Sequence, residues 1–164
     1  MEMSVYIVNL GKYRDGTPVG AWFTPPIDYE DMKEKLGPDA EWNYIIRHYD
    51  LPFDIEEDTK IEELNYLCGL VNELEGTPLY DALPDLLSSG YFGDIRELVS
   101  RQDDIRYWYD CTCLADVAYD SVHEGYFGEV PEYLQMFINH DRLGWAIGVN
   151  GIFVCTSKGV FEIL

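Results

Sequence analysis

An excess of acid is the feature that most limits what this chain can become. It carries 31 Asp and Glu against 11 Lys and Arg, a formal net charge of −20. Self-repulsion on that scale opposes a compact state, and an acidic chain poor in apolar residues stays disordered. Here 47% of the residues are hydrophobic and 15% aromatic. The chain therefore has the material for a core and must arrange its acids around it. The charge is not a tail, because residues 1–60, 61–110 and 111–164 carry net charges of −7, −8 and −5.

The same balance excludes several classes of partner. Direct binding of nucleic acid needs Lys and Arg to meet phosphates, and an anionic membrane surface repels a protein this acidic. The longest uncharged apolar stretch, residues 143–157, contains Gly144, Gly148, Asn150 and Gly151. It is too short and too broken to span a bilayer. Met1-Glu2-Met3-Ser4 shows no basic region followed by an apolar one, so no signal peptide is expected. Cys68, Cys111, Cys113 and Cys155 then read as reduced thiols of a cytoplasmic protein.

Hydrophobic spacing predicts an α+β fold: two small antiparallel-sheet lobes flanking a helical middle. Three parts are expected, at residues 1–58, 59–103 and 104–164. In the first, residues 4–10 alternate as a strand, with Val5, Ile7 and Asn9 on one face. Residues 11–16 read as a turn-rich connection to a strand over 18–23. Asp28 is placed to cap a helix that runs to Leu36, with Glu30 and Asp31 in its first turn and Gly37-Pro38 stopping it. Residues 42–49 read as a third strand. In the middle part, Thr59-Lys60-Ile61-Glu62 has the form of a capping box. It is followed by Ile61, Leu64, Leu67, Cys68, Val71 and Leu74 at helical spacing. Thr77-Pro78 restarts a helix, and a short one covers 95–99. In the last part, residues 105–109 read as a strand and 114–125 as a helix. Pro131 opens a helix with Leu134, Phe137 and Ile138. Residues 145–149 and 152–156, joined by Asn150-Gly151, form a hairpin signal, with a further strand over 160–163.

No phosphate loop, dinucleotide fingerprint or nucleophile elbow is present. Cys111 and Cys113 lack the spacing and the second pair of a zinc site. His48, His123 and His140 are scattered, and residues 54–58 lack the alternating donors and central glycine of a calcium loop. No cofactor and no catalytic group is expected. With 31 acids in the chain, some carboxylate pair always falls at a glycosidase separation, so such pairs carry no signal.

What remains is the charge itself. Asp116, Asp120 and Glu124 recur every four residues on one helix face, where each like-charge pair costs roughly 0.2–0.5 kcal/mol. Four residues advance about 6 Å along a helix, the same scale as the ~3.4 Å rise per phosphate along a DNA strand. A fixed carboxylate array of this kind could present itself to a DNA-binding groove as DNA. Spread evenly over the roughly 8,000 Å² surface of a monomer this size, the charge would be about four times more dilute than on duplex DNA. The mimic reading therefore requires an elongated molecule with its acids gathered on one side. A homodimer would match about 70 Å of duplex.

Val5-Tyr6-Ile7-Val8-Asn9-Leu10-Gly11-Lys12-Tyr13, Gly20-Ala21-Trp22-Phe23, Pro26-Ile27-Asp28 and Tyr49-Asp50-Leu51-Pro52-Phe53 stand in order along the chain. They are followed by Ile61-Glu62-Glu63-Leu64-Asn65, Gly128-Glu129-Val130-Pro131-Glu132 with Leu134-Gln135, and Phe161-Glu162-Ile163. In this order the sequence resembles the ArdA family of antirestriction proteins over essentially its whole length. The resemblance implies a DNA mimic of mobile genetic elements that occupies the DNA-binding groove of type I restriction–modification enzymes. It also implies an elongated, dimeric α+β molecule of three parts. Residues 128–139 resemble the family's antirestriction motif. Asn139 and His140 depart from it, where an Asp followed by an aromatic is expected, and Arg47-His48 stand where the family tends to be acidic. The partner-binding surface is expected to include Asp28, Glu30, Asp31, Glu62, Glu63, Asp116, Asp120, Glu124, Glu129 and Glu132. Two other readings stay open: an acidic inhibitor or immunity-type protein for a different basic or DNA-binding partner, and an enzyme using carboxylates.

Overall fold

In the computed structural model, which describes residues 1–164, the chain separates into two compact units. One comprises Met1–Glu75 with Asp94–Arg96, the other Gly76–Gly93 with Glu97–Leu164. Each holds a three-stranded antiparallel sheet, so the α+β reading with two small sheets stands.

In the first unit the strand order is β2-β1-β3, with β1 at Ser4–Asn9, β2 at Gly20–Phe23 and β3 at Tyr44–Asp50. Alternation along β1 turns Val5, Ile7 and Asn9 inward, all fully buried. Helix α1 (Leu10–Arg14) replaces the expected turn. The cause is the buried amide of Asn9, whose Oδ1 accepts from Lys12 N at 3.0 Å and starts the helix. The same amide donates to Leu36 O at 3.2 Å and to Asp39 Oδ1 at 2.7 Å. Gly11 fits here because a Cβ would lie 2.5 Å from Asn43 Nδ2. Helix α2 (Tyr29–Leu36) has Asp28 as its cap, accepting from Glu30 N at 3.0 Å, and ends at Gly37. Helix α3 (Ile61–Glu73) starts differently from the capping box expected at Thr59. Its cap residue is Lys60 and no cap side chain bonds to the helix. The Tyr44 hydroxyl, brought in from β3, accepts from Ile61 N instead, and Glu62 is engaged elsewhere.

The second unit contains α4 (Pro78–Ser88), whose Leu79, Ala82, Leu83 and Leu86 are buried at helical spacing. Its sheet has the order β4-β6-β5, from Ile105–Trp108, Gly159–Ile163 and Ile152–Thr156. The short helix expected over 95–99 is α5 (Ile95–Ser100), whose residues are divided between the two units. The sheet packs against α6 (Leu114–His123) in a core of Trp108, Cys111, Val117 and Val160, flanked by Leu114, Ile147 and Phe153.

Two expectations for this region fail. Residues 145–149 are not a strand but the end of α8 (His140–Asn150), so Asn150-Gly151 is a helix terminus and not a hairpin turn. The hairpin of this region is β5–β6, turning at Ser157-Lys158. Packing explains the outcome. Gly144 and Gly148, one helical turn apart, let α8 press onto the start of α6. A Cβ on Gly144 would stand 2.5 Å from the Leu114 carbonyl oxygen, and one on Gly148 2.6 Å from Leu114 Cδ1. The helix expected from Pro131 is reduced to one turn, α7 (Glu132–Gln135), and Leu134 and Phe137 are exposed instead of buried.

Candidate functional site

Folding brings the expected acids of the first unit into one neighbourhood. Asn65 of α3 holds Ile27 by two bonds, accepting from its N–H at 2.7 Å and donating to its carbonyl at 2.8 Å. Tyr29 donates to Glu62 Oε1 at 2.9 Å. These contacts set the start of α2, with Asp28, Glu30 and Asp31, beside the start of α3, with Glu62 and Glu63. The Glu62 carboxyl is held below its usual range by a backbone N–H at its own position and by the Tyr29 hydroxyl. The Tyr29 phenol is raised by burial and by the same bond.

Local cations partly offset this group. Lys33 bridges Glu30 at 3.0 Å and Glu41 at 2.9 Å, and Lys35 reaches Asp31 at 2.9 Å. Arg96 pairs with Glu63 and Asp94. Exposed pairs of this sort contribute about 0–1 kcal/mol each and leave the excess of acid in place, since this unit holds 18 Asp and Glu against 7 Lys and Arg. Asp54, Glu56, Glu57 and Asp58 add four exposed carboxylates between β3 and α3. The composition of residues 54–58 was the available signal for them. Arg47, where acid was expected, reaches Glu57 at 3.7 Å and lies over the Tyr13 ring.

In the second unit the helical array divides by role. Asp116 turns back to the start of α6 and accepts from Thr112 N at 2.7 Å, Thr112 Oγ1 at 2.8 Å and Cys113 N at 3.2 Å. Those donors, the Thr112 N–H foremost, hold its carboxyl below the usual range. Asp120 accepts from Cys111 Sγ at 3.3 Å. Burial first and Asp120 second push the Cys111 thiol up to about 12. Glu124 ends the helix exposed, and Glu129 and Glu132 are exposed beyond it. All of these donors are neutral, so the negative charge stays on the protein. Asn139 caps α8, accepting from Arg142 N at 3.0 Å.

The four thiols are free, with Cys68 and Cys111 buried. No group of three His, Cys, Asp or Glu is arranged to hold a metal ion, and no helix is long and apolar enough to cross a membrane. A cavity of about 380 Å³ in the second unit is lined by Trp108, Val117, Ile147 and Phe153 with Arg106 and Glu162. Its one carboxylate, Glu162, already accepts from Arg106 and from Trp108 Nε1, both at 3.1 Å.

Fold and surface together define an acidic α+β protein with exposed carboxylates on both of its units. The sequence model of the antirestriction protein (ArdA) family matches residues 5–162, and the chain belongs to that family. Family membership makes inhibition of restriction–modification enzymes its activity. A comparison with curated proteins gives no match.

Proposed function

We propose that the protein inhibits by DNA mimicry, occupying the DNA-binding groove of a type I restriction–modification enzyme through carboxylates distributed over both units. The observation that carries this reading is the state of the acids. Those with identified partners mostly bond neutral donors or form exposed pairs, so the net charge of −20 stays available to an oncoming basic surface. A groove built for phosphates gains from many such charges at once, and counterions are released as it closes. Asp28, Glu30, Asp31, Glu62 and Glu63 form the contribution of the first unit, and Asp116, Asp120, Glu124, Glu129 and Glu132 that of the second.

A homodimer joined through the last third of the chain completes the proposal. Trp145 and Val149, one turn apart on α8, are exposed, as are Tyr133, Met136 and Phe137; the last two are 79% and 77% accessible. Contiguous exposed apolar patches mark association surfaces, and these side chains are the material for one in the last third of the chain. The test of the central reading is displacement of DNA from a purified type I enzyme. Competitive release of DNA by the protein supports it, and a complex that holds DNA and protein together in the same groove refutes it.

A further inference from the structure

On the outward face of the first sheet, Trp22, Tyr6 and His48 stand side by side across the three strands. Tyr6 is the register partner of Trp22 on one side and of His48 on the other. The ring centroids are 5.4 Å and 6.1 Å apart. Tyr6 has a structural duty: it lies over Gly20, where a Cβ would come within 2.6 Å of its hydroxyl. Trp22 has no such duty. It is on an edge strand and 53% exposed.

An aromatic row on a sheet face is what a basic protein uses to stack bases. Here the surrounding charge inverts the partner. The unit carries 18 Asp and Glu against 7 Lys and Arg, so the ligand for these rings must be cationic. The chain itself shows which cation it accommodates. Arg47 lies over Tyr13 and pairs with Glu57. Arg96 lies over Tyr66 and pairs with Glu63. Arg101 lies over Phe92 and pairs with Glu97, and Arg106 lies over Trp108 and pairs with Glu162. Each of these guanidinium groups lies 5.4–5.9 Å from a ring centroid and also pairs with a carboxylate. The row has the same two components. None of the chain's own cations lies over Trp22, Tyr6 or His48. Asp50 is the register partner of Ser4, which puts it on the same face as His48 and diagonal to Tyr6. Asp50 is exposed and takes part in none of the chain's ion pairs.

We infer that Trp22, Tyr6 and His48, with Asp50 beside them, form a receptor for an arginine side chain of the partner protein. The inference deepens the reading of a basic partner groove and rests on it. It makes recognition more than summed charge, because a planar guanidinium stacks on a ring where a hydrated lysine ammonium does so less well.

The test is a titration of the full-length ¹⁵N-labelled protein with a hexa-arginine peptide and, separately, a hexa-lysine peptide at matched ionic strength. The Trp22 indole N–H and the Tyr6, His48 and Asp50 amides shift with the arginine peptide and far less with the lysine one. Trp22→Leu lowers arginine-peptide affinity about three- to thirtyfold, and Trp22→Phe retains most of it. Equal shifts from both peptides, or shifts confined to acids away from this sheet face, overturn the inference. The wild-type titration decides even if Trp22→Leu fails to fold. With a type I enzyme, a folded Trp22→Leu protein binds more weakly with an unchanged salt dependence. If wild-type protein fails to displace DNA, the mimic reading falls, while the peptide titration still decides on the arginine receptor.

Discussion

Replacing Gly144 by Ala separates packing from propensity at the contact that positions α6 and its acids. In an open helix Gly→Ala gains about 1 kcal/mol. At Gly144 the added Cβ would meet backbone, at 2.5 Å from the Leu114 oxygen, 2.6 Å from its carbonyl carbon and 2.8 Å from Ala115 N. Backbone cannot rotate out of the way as a side chain can, so α8 must move off α6. Overpacking typically costs about 1–3 kcal/mol, and a backbone clash belongs above that range. The net expectation is destabilisation by at least about 2 kcal/mol, or a fall in Tm of at least about 4–8 °C for a chain of this length. Gly69 in α3 is the matched control, because its Cβ position has nothing within 4 Å. Gly69→Ala should stabilise by about 0.5–1 kcal/mol. Thermal and urea melts followed by near-ultraviolet circular dichroism read both. A Gly144→Ala protein as stable as wild type would refute the packing of α8 on α6 and return residues 145–149 to the strand that their sequence suggests.

Three further outcomes follow from the same geometry. Asp116→Ala removes the acceptor of three bonds at the start of α6 and should cost about 1 kcal/mol. Since that carboxyl is held low in the folded state, its contribution is complete above the unfolded value of about 3.9 and is lost as pH falls through the folded value. Melts should therefore separate wild type from Asp116→Ala at pH 5–7 and converge well below pH 4. Asn139→Asp keeps the α8 cap, for which Asn and Asp serve equally, and adds a charge; stability should be unchanged and affinity for the target enzyme should rise by up to about fivefold, measured by calorimetry. Trp145→Glu combined with Val149→Glu should turn a dimer into a monomer in light scattering, and a dimer that persists would locate self-association elsewhere.

Much of the fold was legible because single local signals settled it. The alternation of Val5, Ile7 and Asn9 placed β1, Asp28 and Gly37 bracketed α2, and Leu79, Leu83 and Leu86 marked α4. The failures lie where a distant contact outweighed a local preference. Asn150-Gly151 is a strong turn signal, yet the face made by Gly144 and Gly148 fits the start of α6, and helical period prevails over strand period. Thr59 had the chemistry of a cap, but Tyr44 from β3 serves the first N–H of α3. The acids were visible as a total and not as roles. Asp116 lies in the first turn of the helix read from Leu114, where acids bond free N–H groups, but its shared face with Glu124 masked that difference in role. Residues 54–58 were visible as an acidic run, but the exposure of their four acids depends on a loop that only the fold defines.

The central claim is that the carboxylates act as a sum, with no single acid essential to the inhibitor. It is tested most directly by measuring affinity for a type I restriction–modification enzyme across salt concentrations. Wild type is compared with each single amide variant and with the combined Asp120→Asn, Glu124→Gln, Glu129→Gln, Glu132→Gln protein, which leaves the Asp116 cap intact. Each single change should weaken binding by no more than about fivefold. The combined protein should bind much more weakly and lose affinity less steeply as salt rises, because fewer counterions are released. A single amide substitution that abolishes inhibition in a folded protein, or a combined variant with the wild-type salt dependence, would contradict it.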